Sequence, residues 1–219
     1  MTTTTTTSTP TTSTPTTSTI TTPTATTPEL RSADTPVVEL LGAHDAPLLA
    51  RGFYGGGDPG PIVASLAHVP ELLEVALPFI GATLGPSSIA FRTKEIVILR
   101  TSVLLGCRYC VASHTPVALD SGLTHREVHA LRNEASVDET FDSLRDRLLI
   151  AWTDAVAGNQ TIPDKLTNDM RASFAAHEIV ELTLLVGCTL LLNRYATALR
   201  LPVGEATVAR LEAEGMVLA

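Results

Sequence analysis

From Ile62 to the C-terminus the apolar residues recur at intervals of three and four, and no stretch alternates with the period of two that a half-buried strand needs. The pattern predicts an all-α domain. Leu66, Val69, Leu72, Leu73, Ala76 and Phe79 mark a helix opening near Pro70, with Pro78 kinking or ending it. A second helix is expected from about Thr93 to Gly106, with Ile96, Leu99, Val103 and Leu104 on its apolar side. A third runs from about Arg108 to Ser121, where Gly122 stops it. Thr124-His125-Arg126-Glu127 reads as a capping box, and Ser136-Val137-Asp138-Glu139 as the start of a helix that reaches Ala157 before Gly158. Pro163 suits the first turn of another. His177 to Leu199 makes a long, strongly apolar helix ahead of Pro202, and a final amphipathic one covers about Glu205 to Glu214.

Before this domain the pattern vanishes. Met1 to Pro28 is Thr, Ser and Pro throughout, apart from Met1, Ile20 and Ala25. Such a segment buries no core and reads as a disordered or polyproline-like tail, without the basic and apolar regions of a secretory signal. Residues 29–60 read as an irregular segment with a Gly-rich turn at 55–60, and residues 61–219 as the helical domain. The glycine run lacks the Lys-Ser/Thr ending and the preceding apolar strand of a phosphate loop.

Composition narrows the function. With 44% apolar residues, 17% charged and a mean hydropathy of +0.23, the chain suits one packed domain, and 4% aromatics makes the core aliphatic. A net charge of −8 without a Lys/Arg cluster argues against nucleic acid or an anionic membrane surface as partner. The apolar run nearest in length to a membrane span, Leu182 to Leu192, is short for one and reads as a buried helix. Three cysteines, two of them three apart, do not form a secreted disulfide framework, so a cytoplasmic protein is expected.

Chemistry concentrates in Cys107-Arg108-Tyr109-Cys110-Val111-Ala112-Ser113-His114. At about 100° per residue, positions 107, 110 and 114 fall in one stripe of a helix. A free thiol with a pKa of about 8.5 is mostly protonated at neutral pH, so a reactive cysteine needs its anion stabilised. The start of a helix provides this through its dipole and unpaired N–H groups, and His114, one turn after Cys110, can exchange a proton with it. Two thiols at this spacing can close into a disulfide after one is oxidised to a sulfenic acid, which completes a peroxidase half-cycle. Other readings of the same residues are two buried core cysteines, or a zinc site with Glu95 or Cys188 as fourth ligand. No second ligand pair accompanies the first, and no cofactor is expected. Cys188, in an apolar stretch, reads as an inert core thiol.

With Glu95, these residues resemble the alkylhydroperoxidase D-like, or carboxymuconolactone decarboxylase-like, family. Its redox-active members carry a Glu, eleven residues, Cys-x-x-Cys, three residues and His, a pattern matched here by Glu95, Cys107, Cys110 and His114. The resemblance runs from about His68 to Tyr195. It implies an all-helical AhpD-like bundle, assembled as trimers or hexamers, that reduces hydroperoxides with electrons from a thiol or protein reductant. It further implies that Cys110 is the peroxidatic thiol, Cys107 the resolving thiol that meets the reductant, His114 an acid/base partner and Glu95 part of a proton relay. Tyr109 departs from alkylhydroperoxidase D proper, which has a relay His between its cysteines, and points to a peroxidase-related branch. The alternatives are a cofactor-free carboxymuconolactone decarboxylase-type enzyme, against which the retained dithiol argues, and a zinc-binding or thiol-sensing module. One geometric question accompanies Glu95. On one straight helix residues 95 and 107 would lie about 18 Å apart, so the helix must break or a neighbouring subunit must supply the Glu.

Overall fold

The computed structural model describes residues 35–55 and 57–217, with Met1 and Thr2. Apart from those two residues, the expected tail, Met1 to Pro28, lies outside the described residues. After a 3-10 turn at Arg51–Tyr54, the helices are α1 Pro61–Leu66, α2 Pro70–Leu84, α3 Phe91–Leu104, α4 Arg108–Asp120, α5 His125–Leu131, α6 Val137–Thr140, α7 Leu144–Ala157, α8 Asp164–Ser173, α9 Ala176–Leu199 and α10 Glu205–Ala213. Among the described residues there is no strand, and the fold is all-α as expected.

The centre of the domain is α3. Every residue from Lys94 to Ser102 is buried, and the helix packs against α4, α7 and α9. Leu131, Phe141, Leu149, Met170, Leu182 and Leu185 complete the main cluster around Ile96, Val97, Ile98 and Leu99. The sequence pattern assigns α3 a single apolar side, yet it is enclosed all round. Its charged residues are admitted because each is paired. Lys94 Nζ donates to the carbonyls of Thr83 (3.0 Å) and Gly85 (2.7 Å) at the end of α2, and lies 2.9 Å from Glu181 Oε1 on α9. The Arg100 guanidinium donates to both oxygens of Asp154 on α7 (2.6 and 2.8 Å), to Asn133 Oδ1 (2.5 Å) and to the Leu131 carbonyl (3.3 Å).

Two helix boundaries differ from expectation. Pro78 does not end α2, which continues to Leu84. Proline costs a helix one hydrogen bond and adds a clash, but Leu73 is held in a cluster with Ala46, Tyr54 and Val63, and Leu84 packs on the main core, so both halves stay docked. The helix expected from Ser136 to Ala157 is instead two. Phe141 leaves the helix in extended conformation to bury its ring in the core, and Ser143 then caps a new start by accepting from the Asp146 N–H. Elsewhere local signals act as read. Thr124 and Glu127 form a reciprocal capping box at the start of α5, and Gly122 (φ 96°) follows α4.

The 24 residues of α9 are long and apolar enough to cross a membrane by length and composition. A search for uncharged runs overlooks this because Glu181 and Arg194 interrupt the sequence. In this fold Leu182, Leu185, Val186, Cys188 and Ala196 are buried instead, and the helix packs on α3, α4 and α7.

Replacing Arg100 with Ala leaves the Asp154 carboxylate and the Leu131 carbonyl without their donor, and is expected to cost about 3 kcal/mol of stability. Urea denaturation should show a lower midpoint at unchanged slope, and Arg100→Lys, without the planar fork, should recover less than half of the loss.

Candidate active site

The turn between α3 and α4 is set by its backbone. Gly106 adopts φ 63°, a left-handed conformation that costs other residues about 1–2 kcal/mol. Its N–H bonds the Val103 carbonyl (3.0 Å), and the next N–H, of Cys107, reaches back to Ser102 (3.1 Å). This is a Schellman ending. Cys107 is extended and immediately becomes the N-cap of α4, its carbonyl accepting the first helical bond from Val111 (2.9 Å).

The chain therefore reverses within a few residues, and α4 packs back along α3. That reversal answers the Glu95 question. The helix does break, and Glu95 meets His114 rather than the cysteines: His114 Nδ1 lies 3.0 Å from Glu95 Oε2 and 3.3 Å from Oε1. A carboxylate only accepts, so Nδ1 is the donor in this contact and Nε2 is left for another partner. His114 follows Cys110 by one turn on the same face of α4. All four residues read from the sequence thus fall along one hairpin of a single chain.

Both cysteines of the pair are free and buried, Cys107 at 1% and Cys110 at 5% exposure. The polar neighbours in sequence suggest an accessible surface, but Leu201 and Ala196 close over the sulfurs, so access is by a cavity. The Cys107 thiol is lowered to about 6. The main cause is the Cys110 S–H donating to its sulfur; burial opposes this, and the N–H groups of Cys110 and Tyr109 and the Thr197 side chain add to it. Those N–H groups act as the positive end of α4 without closing a regular side-chain cap bond. Cys110 moves the opposite way, pushed far up by the same hydrogen bond, by burial and by the charge on Cys107.

A cavity of about 380 Å³ opens over Cys107 and not Cys110. Tyr109, Thr197, Arg200, Leu201 and Val208 are among its lining. Thr197 and Arg200 went unread in the sequence, since they belong to the end of α9, far along the chain. An arginine followed by Leu-Pro at a helix end is the one local signal that could have marked them. Cys188 is buried away from the pair, its thiol raised by burial with the Thr83 side chain opposing. Among the described residues no group of three His, Cys, Asp or Glu is placed to hold a metal ion.

The sequence model of the Carboxymuconolactone decarboxylase family matches residues 70–154, which include Glu95, Cys107, Cys110 and His114. An uncharacterized Bacillus subtilis protein, YdfG, is 25% identical over 113 residues, covering 52% of this chain and 77% of its own. Among solved structures, an Agrobacterium tumefaciens protein of unknown function, suggested to be an antioxidant defence protein AhpD, aligns with a TM-score of 0.57 at 25% identity, covering 64% of this chain and 95% of its own. An uncharacterized peroxidase-related protein from Silicibacter sp. TM1040 shares the fold at a TM-score of 0.68 and 15% identity, covering 78% of this chain and 93% of its own.

The ionisation of Cys107 has a direct readout. Alkylation by iodoacetamide, followed by mass spectrometry of the Cys107 peptide, should rise with pH through a midpoint near 6 and level off well below the ordinary thiol range. Thr197→Val removes a group that favours the thiolate and should move the midpoint up by roughly half to one unit.

Proposed function

We propose that the protein is a thiol peroxidase that reduces organic hydroperoxides through a Cys107–Cys110 dithiol/disulfide cycle. The observation that carries this reading is the asymmetric thiol pair, with its thiolate at the floor of a cavity and its protonated partner one turn away. In the first step the Cys107 sulfur attacks the terminal oxygen of ROOH. The O–O bond breaks, the sulfur takes the OH to become a sulfenic acid, and the departing alkoxide takes a proton from solvent water to leave as ROH. The Cys110 thiol then gives its proton towards Nε2 of His114, whose orientation Glu95 holds through Nδ1. The resulting thiolate attacks the Cys107 sulfur, expelling the sulfenic oxygen as water and closing the disulfide. A dithiol, small or carried on a protein, donates two electrons to reopen it.

This order is the reverse of the one the resemblance implies. It is supported by the position of Cys107 at the helix N-terminus and on the cavity wall, where Cys110 has neither advantage. We also propose that the chain assembles with copies of itself. Val180, Leu184 and Leu191 are 48–69% exposed on α9, and Leu72, Val75 and Phe79 are 45–66% exposed on α2, which packs beside it. Large apolar patches of this kind commonly mark interfaces.

Turnover of cumene hydroperoxide with dithiothreitol, together with a single-turnover thiol count, tests the cycle. Cys107→Ser should lower turnover by roughly a thousandfold or more. Cys110→Ser should keep one fast oxidation per chain but stop cycling, and Glu95→Gln, acting in the resolving step, should lower kcat by about a hundredfold while the first oxidation stays fast. Fast oxidation in Cys107→Ser but not in Cys110→Ser would restore the opposite order, and full activity in both would end the proposal. For assembly, Val180→Asp with Leu184→Asp should shift the mass by light scattering to that of the monomer, while an unchanged mass would place the interface elsewhere.

A further inference from the structure

Among the described residues six helices, α3, α4, α5, α7, α9 and α10, end in the same pair of backbone bonds, the 6→1 and 5→2 bonds of the Schellman motif. The left-handed position of that motif is held by Gly106, Gly122, Asn133, Asn159, Arg200 and Gly215 in chain order. Glycine and asparagine are the residues that tolerate it. Arginine does not, and at φ 53°, ψ 49° Arg200 is the exception in its own protein. A non-glycine residue kept in an unfavourable backbone region beside a functional cavity points to a role for its side chain.

That side chain lines the cavity over Cys107. It is exposed at the end of α9 and makes no hydrogen bond or ion pair among the described residues. Arg108 lines the same cavity, whose wall includes no Asp or Glu although the chain carries a net charge of −8. The lining also includes the apolar Leu201, Pro202, Val203 and Val208. The cavity thus combines a nucleophilic sulfur, an apolar wall and a cationic edge. Its volume of about 380 Å³ falls at the small end of ligand sites.

We infer that Arg200 is a substrate-binding residue that selects hydroperoxides bearing a carboxylate, holding the carboxylate at the cavity edge while the alkyl chain lies on the Leu201–Val203 wall and the peroxide reaches Cys107. The inference rests on the peroxidase reading above and adds the substrate class. A guanidinium–carboxylate contact is charge-assisted and discriminates against a neutral ester of the same shape.

The test compares 6-hydroperoxyhexanoate with its methyl ester, using neutral dithiothreitol as reductant so that no charge on the reductant contributes. Wild type should favour the acid in kcat/KM by about tenfold, the ratio equivalent to one contact of about 1.4 kcal/mol. Arg200→Gly suits the backbone, should raise Tm, and should bring the ratio to about one; Arg200→Lys should restore part of it. A readout independent of turnover is the rate of Cys107 alkylation by anionic iodoacetate relative to neutral iodoacetamide, which should also fall about tenfold in Arg200→Gly. If wild type reduces neither hydroperoxide but keeps the iodoacetate preference, the anion site stands and the peroxidase reading falls. If both hydroperoxides are reduced and Arg200→Gly changes neither ratio, the peroxidase reading stands and the anion site is refuted. If the effect of Arg200→Gly appears only when glutathione replaces dithiothreitol, the carboxylate it holds belongs to the reductant and the substrate assignment is overturned.

Discussion

The constraint on which the rest of the molecule depends is that its central helix is buried on all sides and yet carries charge. Lys94, Glu95 and Arg100 are all within α3, none more than 9% exposed. An unpaired charge in such a place costs several kcal/mol, so each must meet a partner. Lys94 finds the frayed carbonyls of α2 and the carboxylate of Glu181. Arg100 finds Asp154 on α7 and the end of α5. Glu95 finds His114 on α4. Apolar packing alone would let neighbouring helices slide by a turn at modest cost, whereas these pairings fix which turn of each helix faces α3.

The register of α4 against α3 follows from that constraint, and with it the chemistry. The Glu95–His114 pair holds the middle of α4, and Gly106 fixes the reversal that begins it. Between these two anchors lie both cysteines. Their inequality comes from position: Cys107 stands before the first turn, where N–H groups lack helical partners, and Cys110 lies within it. A sulfur before the turn gathers those dipoles and the S–H of its neighbour. A sulfur inside the turn gives up its hydrogen to the first and is left facing a negative charge, which is why the two thiols move in opposite directions.

Much of this was legible from spacing. The helix that starts after Cys107, the stop at Gly122 and the capping box at Thr124 are local, and local rules sufficed for them. What escaped was decided by tertiary contact. Nothing near Phe141 announces that its ring will leave a helix for the core, and Pro78 looks like a break until both sides of it are seen to be docked. Glu95 was left open for a geometric reason. Its distance to the cysteines is large when measured along a helix, but its partner is His114, which the hairpin carries back towards the start of α3. Thr197 and Arg200 were unreadable because they join the site from the far end of the domain.

That far end explains why one helix can serve two needs. The middle of α9 is core, with Leu182, Leu185 and Val186 fully enclosed, whereas its last turn forms a wall of the cavity over the sulfur. The two demands differ: the core rewards aliphatic volume, and the cavity needs a hydroxyl near the thiolate and a charge at its edge. They are separated by little more than one turn, from Asn193 to Thr197. Asn193 marks the division, buried with its amide donating to Ser102 of α3 and to the Thr189 carbonyl. Through Ser102 the same helix end is tied to the turn that presents Cys107, since the Ser102 carbonyl accepts the Cys107 N–H. Cavity and nucleophile are therefore positioned by one continuous set of contacts. A shift of α9 would move the wall and the sulfur together, preserving their mutual geometry.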